Sequence, residues 1–331
     1  MAQEKRSTEY FLLPVRSILN RCDSPRMPFE WTVNPYRGCE FGCKYCYARY
    51  THEYMELDGG EFEKKIFVKQ NAGPLFERDL VRKIEPLTSY IQPPEHIAIG
   101  TATDPYQPAE REFGVTRAIL ERIAEREGMS VSITTKSDQV MRDIDVLQRI
   151  TARSSLTVNL SITTPRPRLA RLLEPRAPRP DLRFAAVRKL RDAGIHAGVF
   201  AMPILPGLTD READLDALAR SARDAGAEWF GGGVLFLMPS SAKQFLPFIE
   251  AKFPRLADGY RKWYGRAGYA PEDYRREISA RIARLRRKYG LRDRAEFTAP
   301  AVRPAAAPQL SLALAPVSCK VAPATAATPA A

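Results

Sequence analysis

Three cysteines lie close together in the segment Cys39-Glu-Phe-Gly-Cys43-Lys-Tyr-Cys46. The spacing Cys-x3-Cys-x2-Cys gives three thiolates, whereas a closed zinc site uses four protein ligands and an ordinary cysteine-bound cluster also uses four. Three thiolates on one short loop match a cubane [4Fe–4S] cluster in which one iron has no protein ligand. Such an open iron indicates chemistry at that iron. Gly38 and Gly42 would let the loop fold closely around a bulky cofactor.

The longer segment Asn34-Pro-Tyr-Arg-Gly-Cys39-Glu-Phe-Gly-Cys43-Lys-Tyr-Cys46-Tyr-Ala-Arg49 resembles the cluster-binding loop of the radical SAM enzymes. More narrowly, it is similar to the branch related to spore photoproduct lyase, whose members are often labelled DNA repair photolyases. Further similarities follow in the same order within residues 17–290, at residues 103–108, 135–137, 173–176 and 203–207. Five ordered blocks are a more specific signal than the cysteines alone.

The resemblance implies two cofactors, a [4Fe–4S] cluster and S-adenosylmethionine (SAM). Cys39, Cys43 and Cys46 would bind the cluster, and the amino and carboxylate groups of SAM would chelate the open iron. One electron would then cleave the C5′–S bond of SAM and leave a 5′-deoxyadenosyl radical that abstracts hydrogen from a substrate. The resemblance also implies an electron donor such as flavodoxin or ferredoxin.

The resemblance further implies contacts to SAM from side chains near the carboxyl ends of the strands. Thr103 and Asp104 would contact its methionine end, with Asp104 accepting a hydrogen bond from the ammonium. Lys136 would pair with the carboxylate, and Ser161 would donate its hydroxyl to the same group. Tyr45 would pack near the adenine, against which the segment 203–207 would also lie.

Each of these residues also has an ordinary structural interpretation, which the sequence leaves open. Asp104 could cap the turn before a proline, and Lys136 could extend from a strand end into solvent. Ser161 could be a strand serine bonded to backbone, and Tyr45 an aromatic of the core. Glu174 could orient Arg176 or the ribose hydroxyls, but a surface salt bridge is the simpler interpretation.

The chain departs from the lyase at the final hydrogen donor, and the sequence assigns no catalytic residue. The lyase donates that hydrogen from a cysteine, and the matching position here is Thr101; no cysteine lies between Cys46 and Cys319. Thymine-dimer repair by that route is therefore not expected. Cys22 is interpreted as a small buried filler, with a hydrogen-donor role as the alternative. The substrate, a lyase-type reaction and the fate of SAM stay open.

Two further interpretations belong to a different class of protein. His52, six residues after Cys46, could complete a Cys3His zinc site. The chain would then be a non-catalytic zinc or iron–sulfur protein that binds nucleic acid. The formal charge of +12 supports nucleic acid as a candidate partner, since residues 251–297 contain 14 Lys or Arg against 6 Asp or Glu. Residues 166–191 contain 9 against 2, but arginine-rich helices are often only solvated surfaces.

Six apolar, β-branched runs are separated by helical patterns, and this alternation predicts the elements that must position the site. The runs are residues 31–33, 96–101, 131–135, 157–163, 196–204 and 229–237, spaced mostly like βα units. Asp181 is predicted to cap one helix, with Leu182, Ala186, Val187 and Leu190 on one face, and Thr209 or Asp210 to cap the next, which contains Leu215, Leu218 and Ala222. The alternation implies a parallel sheet buried on both faces. The fold class is α/β. The pattern alone fits both a partial barrel and a doubly wound sheet, and the resemblance implies a partial (β/α)6 barrel.

The predicted organisation is an N-terminal extension over residues 1–30, the barrel over residues 31–239, a basic helical region over residues 240–297, and an Ala/Pro-rich disordered tail over residues 298–331. No apolar run approaches the length that spans a bilayer, and the charged start does not read as a secretory signal. A cytoplasmic location is predicted, because the clustered cysteines suit a reducing compartment. The oligomeric state is not predicted.

Overall fold

A computed structural model describes residues 8–84 and 95–296 of the chain. It contains a seven-stranded sheet, whose strands are β2 Leu19–Arg21, β3 Trp31–Val33, β6 His96–Ile99, β7 Ser130–Thr135, β8 Ser155–Ser161, β9 His196–Ile204 and β10 Phe230–Val234. The order of the strands in the sheet is β10-β9-β8-β7-β6-β3-β2. The six strands from β3 to β10 in this sheet run parallel, and β2 pairs with β3 in the antiparallel direction.

The six predicted strands are therefore confirmed, and their composition explains why they form a covered parallel sheet. Both faces of the sheet are withdrawn from water, as in β8, where all residues from Leu156 to Ser161 are buried. In β9 both faces are apolar, so this strand appears in the sequence as a nearly continuous apolar run. In β8 the buried Leu and Val residues alternate with buried Thr, Asn and Ser residues. The parallel direction brings the carboxyl ends of all six strands to one edge, where the predicted site residues follow.

Eleven α-helices lie among the described residues and cover the sheet, extend it or connect its strands. They are α1 Tyr50–Glu53, α2 Ala72–Lys83, α3 Glu110–Phe113, α4 Val115–Ala124, α5 Ile144–Thr151, α6 Pro167–Leu173, α7 Pro180–Asp192, α8 Glu212–Asp224, α9 Pro239–Lys252, α10 Pro254–Tyr264 and α11 Glu272–Tyr289.

The predicted helix caps are wrong, although the helices themselves are present. Helix α7 begins at Pro180, and its N-cap residue is Arg179 rather than Asp181. Proline suits the first helical position because its missing N–H would have had no partner there. Leu182 is 43% exposed and is not part of the buried face that the sequence predicted for it.

The N-cap residue of α8 is Arg211, not Thr209 or Asp210. Thr209 instead accepts a hydrogen bond from the backbone N–H of Leu205, which closes the loop after β9. The predicted apolar face of α8 is confirmed, because Leu215, Leu218 and Ala222 are fully buried.

A second, smaller sheet packs beside the barrel and holds the chain on both sides of the cysteines. Its strands are β1 Glu9–Leu13, β4 Tyr36–Arg37 and β5 Lys65–Lys69, in the order β1-β5-β4. Because β2 joins the main sheet and β1 joins the small one, the first 30 residues contribute a strand to each.

Helices α9, α10 and α11 follow β10, and together they make up most of the predicted basic C-terminal region. Helix α9 packs against α10 and against the segment that follows the cysteines, whereas α11 packs against β10 and α8. The predicted disordered tail and Cys319 lie outside the described residues. Within the described part of the chain, no helix has the length and apolar character that crossing a bilayer requires.

Candidate functional site

The cysteine loop begins just after β4, and its three thiols lie in one apolar cluster. Cys39 and Cys43 are each 8% exposed, and Cys46 is half-buried. The loop turns twice, because the N–H of Gly42 donates to the carbonyl of Cys39 and that of Cys46 donates to the carbonyl of Cys43. The three predicted ligands are thus brought together on one folded loop.

Burial raises the pKa of all three thiols, that of Cys43 to about 12. At Cys39 the negative charges of Asp104, Cys43 and Cys46 also raise the pKa, and at Cys43 those of Glu174 and Cys46 do so. The positive charge of Lys136 acts to lower the pKa of Cys43, and the charges of Arg49 and Lys136 act to lower that of Cys46. A metal that binds the sulfurs supplies the positive charge that removes these protons.

Residues that follow β6 hold the first half of the loop. The Thr103 hydroxyl and the Gln107 side-chain amide both donate to the carbonyl of Gly38, at 2.7 and 3.1 Å. The Gln107 Oε1 accepts from the backbone N–H of Glu40 at 3.0 Å. Gly38 has φ +81°, and a Cβ at this position would lie 2.6 Å from the carbonyl oxygen of Lys65. The first half of the loop is therefore tightly enclosed between β5 and the segment after β6.

The Glu40 side chain adds to the same attachment. Its Oε1 accepts from the backbone N–H of Ala109, and its Oε2 accepts from the Tyr10 hydroxyl. Burial raises the pKa of the Glu40 carboxyl, although these two hydrogen bonds oppose the rise. Glu40 and Gln107 were not among the predicted site residues. We call the hydrogen bonds by which Thr103, Gln107 and Ala109 hold Gly38 and Glu40 the first clasp.

Residues that follow α6 hold the second half of the loop. The backbone N–H of Lys44 donates to the carbonyl of Leu173 at 2.9 Å, and the Tyr45 hydroxyl donates to the Glu174 carboxylate. The N–H of Arg176 donates to the carbonyl of Phe41 at 3.2 Å. These contacts form a second clasp, which joins residues 41–45 to residues 173–176.

The prediction that Glu174 forms a surface salt bridge is wrong. Glu174 is 2% exposed, and its partner is the buried Arg183 rather than Arg176. Its carboxylate also accepts from the Thr163 hydroxyl at 2.7 Å. Burial would raise its pKa, but Arg183 and Lys136 outweigh burial and lower it to about 2. Glu174 is therefore a buried carboxylate that stays ionised, and Arg183 is a site residue that the sequence analysis missed.

Asp104 and Lys136 lie together, at the carboxyl ends of β6 and β7. The Asp104 carboxylate accepts from the Thr135 hydroxyl at 2.6 Å and from the backbone N–H of Lys136 at 2.7 Å. It also accepts from the N–H of Tyr106 at 3.0 Å, as a turn-capping aspartate would. Burial raises its pKa, and these bonds oppose the rise. The structure thus shows Asp104 fixing the backbone that carries Lys136.

The Lys136 ammonium lies over the Tyr45 ring, 5.8 Å from the ring centroid. Burial acts to lower its pKa, but the negative charges of Cys43 and Glu174 outweigh burial and raise it. Lys136 is therefore a cation at the cysteine loop, not a lysine that extends away from the protein. Its contact with Tyr45 brings together two of the five residues that were predicted to bind SAM.

Two other predicted residues have contacts that serve the scaffold. The carbonyl of Ser161 accepts from Arg183 at 2.8 Å, and the residue is 6% exposed at the end of β8. The Thr103 hydroxyl donates to the carbonyl of Gly38 in the first clasp. The loop that follows β9 is held by Tyr260, whose hydroxyl donates to the carbonyl of Pro206 at 2.8 Å. Thr101, which the sequence comparison above matched to the lyase's cysteine, exchanges hydrogen bonds with Asn34.

His52 lies in the small α1 helix with its ring fully buried. Its Nε2 bonds the carbonyl of Lys65 at 3.0 Å, and its ring packs edge-on against Phe62 and Phe67. Among residues 8–84 and 95–296, no group of three or more His, Cys, Asp or Glu is arranged to hold a metal ion. The Lys65 carbonyl and the two phenylalanine rings surround His52, whereas its buried Nδ1 has no hydrogen-bond partner among the described residues.

The donor set at the cysteine loop fits an iron–sulfur cluster. Thiolates are the usual ligands of such clusters, and each of the three sulfurs would bind a different iron, unlike the ligands of a single ion. The loop is attached by both clasps, and a third contact comes from Arg49, which is 1% exposed and donates to Glu63 and to the carbonyl of Cys43. Lys136 adds a cation on the side of Tyr45.

Comparison with known proteins agrees with this geometry. The family model described as "Radical SAM superfamily" matches residues 33–219, which include the loop, both clasps and Lys136. The chain belongs to the radical SAM superfamily. An uncharacterised protein of Mycobacterium tuberculosis is 34% identical over 278 residues, which are 83% of this chain and 79% of the relative. An uncharacterised protein of Methanocaldococcus jannaschii is 32% identical over 183 residues, 55% of this chain and 63% of the relative.

Solved structures of spore photoproduct lyase show the same fold as this radical SAM protein. One, a substituted form of the lyase, has a TM-score of 0.64 and 18% identity, and the match covers 85% of this chain and 79% of the lyase. Another, in complex with dinucleoside spore photoproduct, has a TM-score of 0.63 at 18% identity, with 84% and 79% covered. At this identity the comparison shows the fold, and it confirms the partial barrel that the sequence implied.

Proposed function

We propose that this radical SAM protein is an enzyme that binds a [4Fe–4S] cluster through Cys39, Cys43 and Cys46 and cleaves SAM reductively. The observation that carries the proposal is the pair of clasps, which hold three buried thiols on one loop beside the Lys136 ammonium. Three thiolates leave one iron of a cubane without a protein ligand. When bound, the cluster and SAM together would supply a 5′-deoxyadenosyl radical.

The protein's own contribution is to orient SAM and to exclude water. The Lys136 ammonium is placed to pair with an anionic group next to the loop, and the SAM carboxylate is such a group. Asp104 fixes the backbone of Lys136 through its N–H. Glu174 keeps a negative charge in range of the same ammonium. The lysine is thereby held protonated where the carboxylate would bind.

The second clasp also fixes the orientation of the Tyr45 side chain. Its hydroxyl is bonded to Glu174 and Thr163, so the ring cannot turn away from the loop. The Lys136 ammonium packs over that ring, and such a contact is worth about 0.5–2 kcal/mol. Tyr45 thus positions Lys136 and forms an apolar wall that would keep water from the reacting bond.

Product analysis tests the proposal. Protein reconstituted anaerobically with iron and sulfide is reduced with dithionite and mixed with SAM, and 5′-deoxyadenosine and methionine are measured by mass spectrometry. The proposal predicts both products in the wild type and neither in Cys43→Ala. A wild-type protein that holds an intact cluster yet forms no 5′-deoxyadenosine would instead support a non-catalytic binding protein.

We keep nucleic acid as the proposed substrate class, supported by the formal charge of +12. Some of the cations are neutralised by ion pairs, both buried and at the surface. Arg183 pairs with Glu174, Arg191 with Glu228 and Lys288 with Asp216. Contacts between cationic side chains and phosphates release counterions, so retention of the protein by an oligonucleotide should fall steeply with salt. Binding that does not depend on salt would contradict this proposal.

A further inference from the structure

A groove of about 710 Å³ runs along the side of α9 that carries Ala242, Leu246 and Glu250. Its walls are α9, the segment that follows β10 and the turn after α10. Apolar side chains form its floor, among them Phe236, Leu246 and Pro247. Its edges carry the cations Lys243, Arg261 and Arg266. Arg261 is paired with Glu250 and Asp258, and Lys243 lies 3.8 Å from Glu53. An apolar floor within a basic rim is typical of a surface that binds another protein.

The groove is fixed in shape by contacts between its walls. The N–H of Leu237 donates to the carbonyl of Gly268 at 2.8 Å. Phe236 stacks on Tyr269 with 4.5 Å between ring centroids, and the Arg275 guanidinium lies 5.4 Å from the centroid of the Tyr269 ring. A Cβ on Gly268 would lie 2.8 Å from the Phe236 ring, so the close approach of the two walls requires glycine. A partner would meet a surface that is already formed.

The other side of α9 touches the cysteine loop. The Ser241 hydroxyl donates to the carbonyl of Cys46 at 2.7 Å, and Phe245 is buried in the same apolar cluster as the cysteines. Ala242 and Lys243, the next residues along the helix, line the groove. One helix therefore separates an exposed groove from the proposed cluster ligands, with a hydrogen bond to a ligand residue on its inner side.

The charge of the region selects the partner. Residues 239–268 contain six Lys or Arg against two Asp or Glu, and the groove lining contributes three of these cations and one acid, Glu250. A substrate of the radical would have to enter the barrel, from which α9 separates the groove. A reductant, in contrast, has only to come near the loop from outside.

We infer that this groove is the docking surface of an acidic one-electron carrier of the flavodoxin type. The inference rests on the proposed function, since it assumes a cluster on Cys46. The carrier's flavin would pass from the hydroquinone anion to the neutral semiquinone as it gives up one electron. No proton and no bond would be exchanged between the two proteins. Basic residues around the groove would orient the carrier's acidic face over α9.

Binding to a bacterial flavodoxin, measured by isothermal titration calorimetry with and without added salt, tests the inference. The double variant Lys243→Glu/Arg266→Glu should bind about tenfold more weakly at low ionic strength, because two attractive charges become repulsive. The milder Arg266→Gln should lose less, and high salt should remove the difference. The matched control Arg287→Glu changes an exposed arginine of α11 and should bind like the wild type.

Product formation then separates this inference from the proposed function. With flavodoxin as reductant, the double variant should form 5′-deoxyadenosine more slowly than the wild type, whereas with dithionite the two should be equal. Absence of product with dithionite in the wild type would refute the proposed function. Product with dithionite, together with equal flavodoxin affinity in all variants, would refute the docking surface alone. Loss of affinity for a single-stranded oligonucleotide but not for flavodoxin would refute it as well and assign the groove to nucleic acid.

Discussion

The Glu174 carboxylate is paired with the Arg183 guanidinium, and each side chain is only 1% exposed. Arg183 also donates to the carbonyls of Ser161 and Pro178, so it ties α7 to β8 and to the segment before α7. Glu174 in turn holds Tyr45 of the cysteine loop. A single buried ion pair thereby links the scaffold to the loop that would bind the cluster.

Glu174→Ala should destabilise the protein by about 3–5 kcal/mol, because it leaves the Arg183 charge buried without its partner. Glu174→Leu combined with Arg183→Met should recover much of that loss, since no buried charge would remain. Urea unfolding of the apo protein measures both effects. Asp224→Ala, which removes a half-exposed pair with Arg223, should change stability by less than about 1 kcal/mol. Equal losses in the free energy of unfolding for Glu174→Ala and Asp224→Ala would show that the buried pair stabilises the fold no more than a surface pair does.

Gln107→Leu should weaken the first clasp, because the carbonyl of Gly38 would lose one donor and the N–H of Glu40 its acceptor. We expect a loss of about 1–3 kcal/mol in the free energy of unfolding and a lower iron content after reconstitution. Gln148→Leu is the matched control, since Gln148 is an exposed glutamine that donates to one carbonyl. An unchanged iron content in Gln107→Leu would mean that the loop does not depend on this clasp.

His96 should make stability depend on pH. Burial, together with the charge of Arg294, lowers its pKa from 6.5 to about 4, and its two ring nitrogens bond Ser130 and Ser132. Because the unfolded chain binds the proton first, the stabilisation is present above pH 6.5 and is lost as the pH falls towards 4. The loss of stability should approach about 3 kcal/mol, because each unit of pKa shift corresponds to about 1.4 kcal/mol.

Urea unfolding at pH 7.5 and at pH 5 measures this effect, with His96→Gln as the comparison. The variant should show a smaller decrease in stability between the two pH values. Some decrease should persist, because burial also lowers the pKa of His52. Identical decreases in both proteins would show that His96 does not stay neutral in the fold.

Lys136→Ala should keep the iron and sulfide content but weaken SAM binding. A hydrogen bond to a charged group contributes roughly 1.5–3 kcal/mol, which corresponds to about a ten- to hundredfold change in dissociation constant. Lys136→Arg should restore part of the affinity, since a planar guanidinium replaces a compact ammonium. Equilibrium dialysis with labelled SAM measures the change. An affinity equal to that of the wild type would remove Lys136 from the SAM site.

The strands could be predicted from the sequence because they are short runs rich in apolar or β-branched residues, nearly continuous in β9 and alternating with buried polar residues in β8. The caps could not be predicted in the same way. Asp181 has the side chain of a good N-cap, but Pro180 takes the first helical position and moves the start of α7 by two residues. The pairing of β1 with β5 joins residues far apart in the chain, and no local pattern indicates it.

The cysteine loop could be predicted because its ligands are close in sequence, whereas the contacts that hold it could not. Glu174 was assigned to the surface because Arg176 follows it closely and two charged neighbours often pair in solvent. The structure turns Arg176 to the loop backbone and brings Arg183 from the next helix. Gln107 lies in the block 103–108, but it carries no charge and the resemblance assigns it no contact, so only the fold reveals that it bonds Gly38 and Glu40.

The EPR spectrum of the reduced, reconstituted protein, recorded with and without SAM, tests the central claim most directly. If Cys39, Cys43 and Cys46 bind a [4Fe–4S] cluster with one open iron, the wild type should give a cluster signal that SAM shifts, and Cys43→Ala should lose the signal. Cys22→Ala should behave like the wild type. A signal that SAM leaves unchanged, or a colourless protein that contains stoichiometric zinc, would contradict the account.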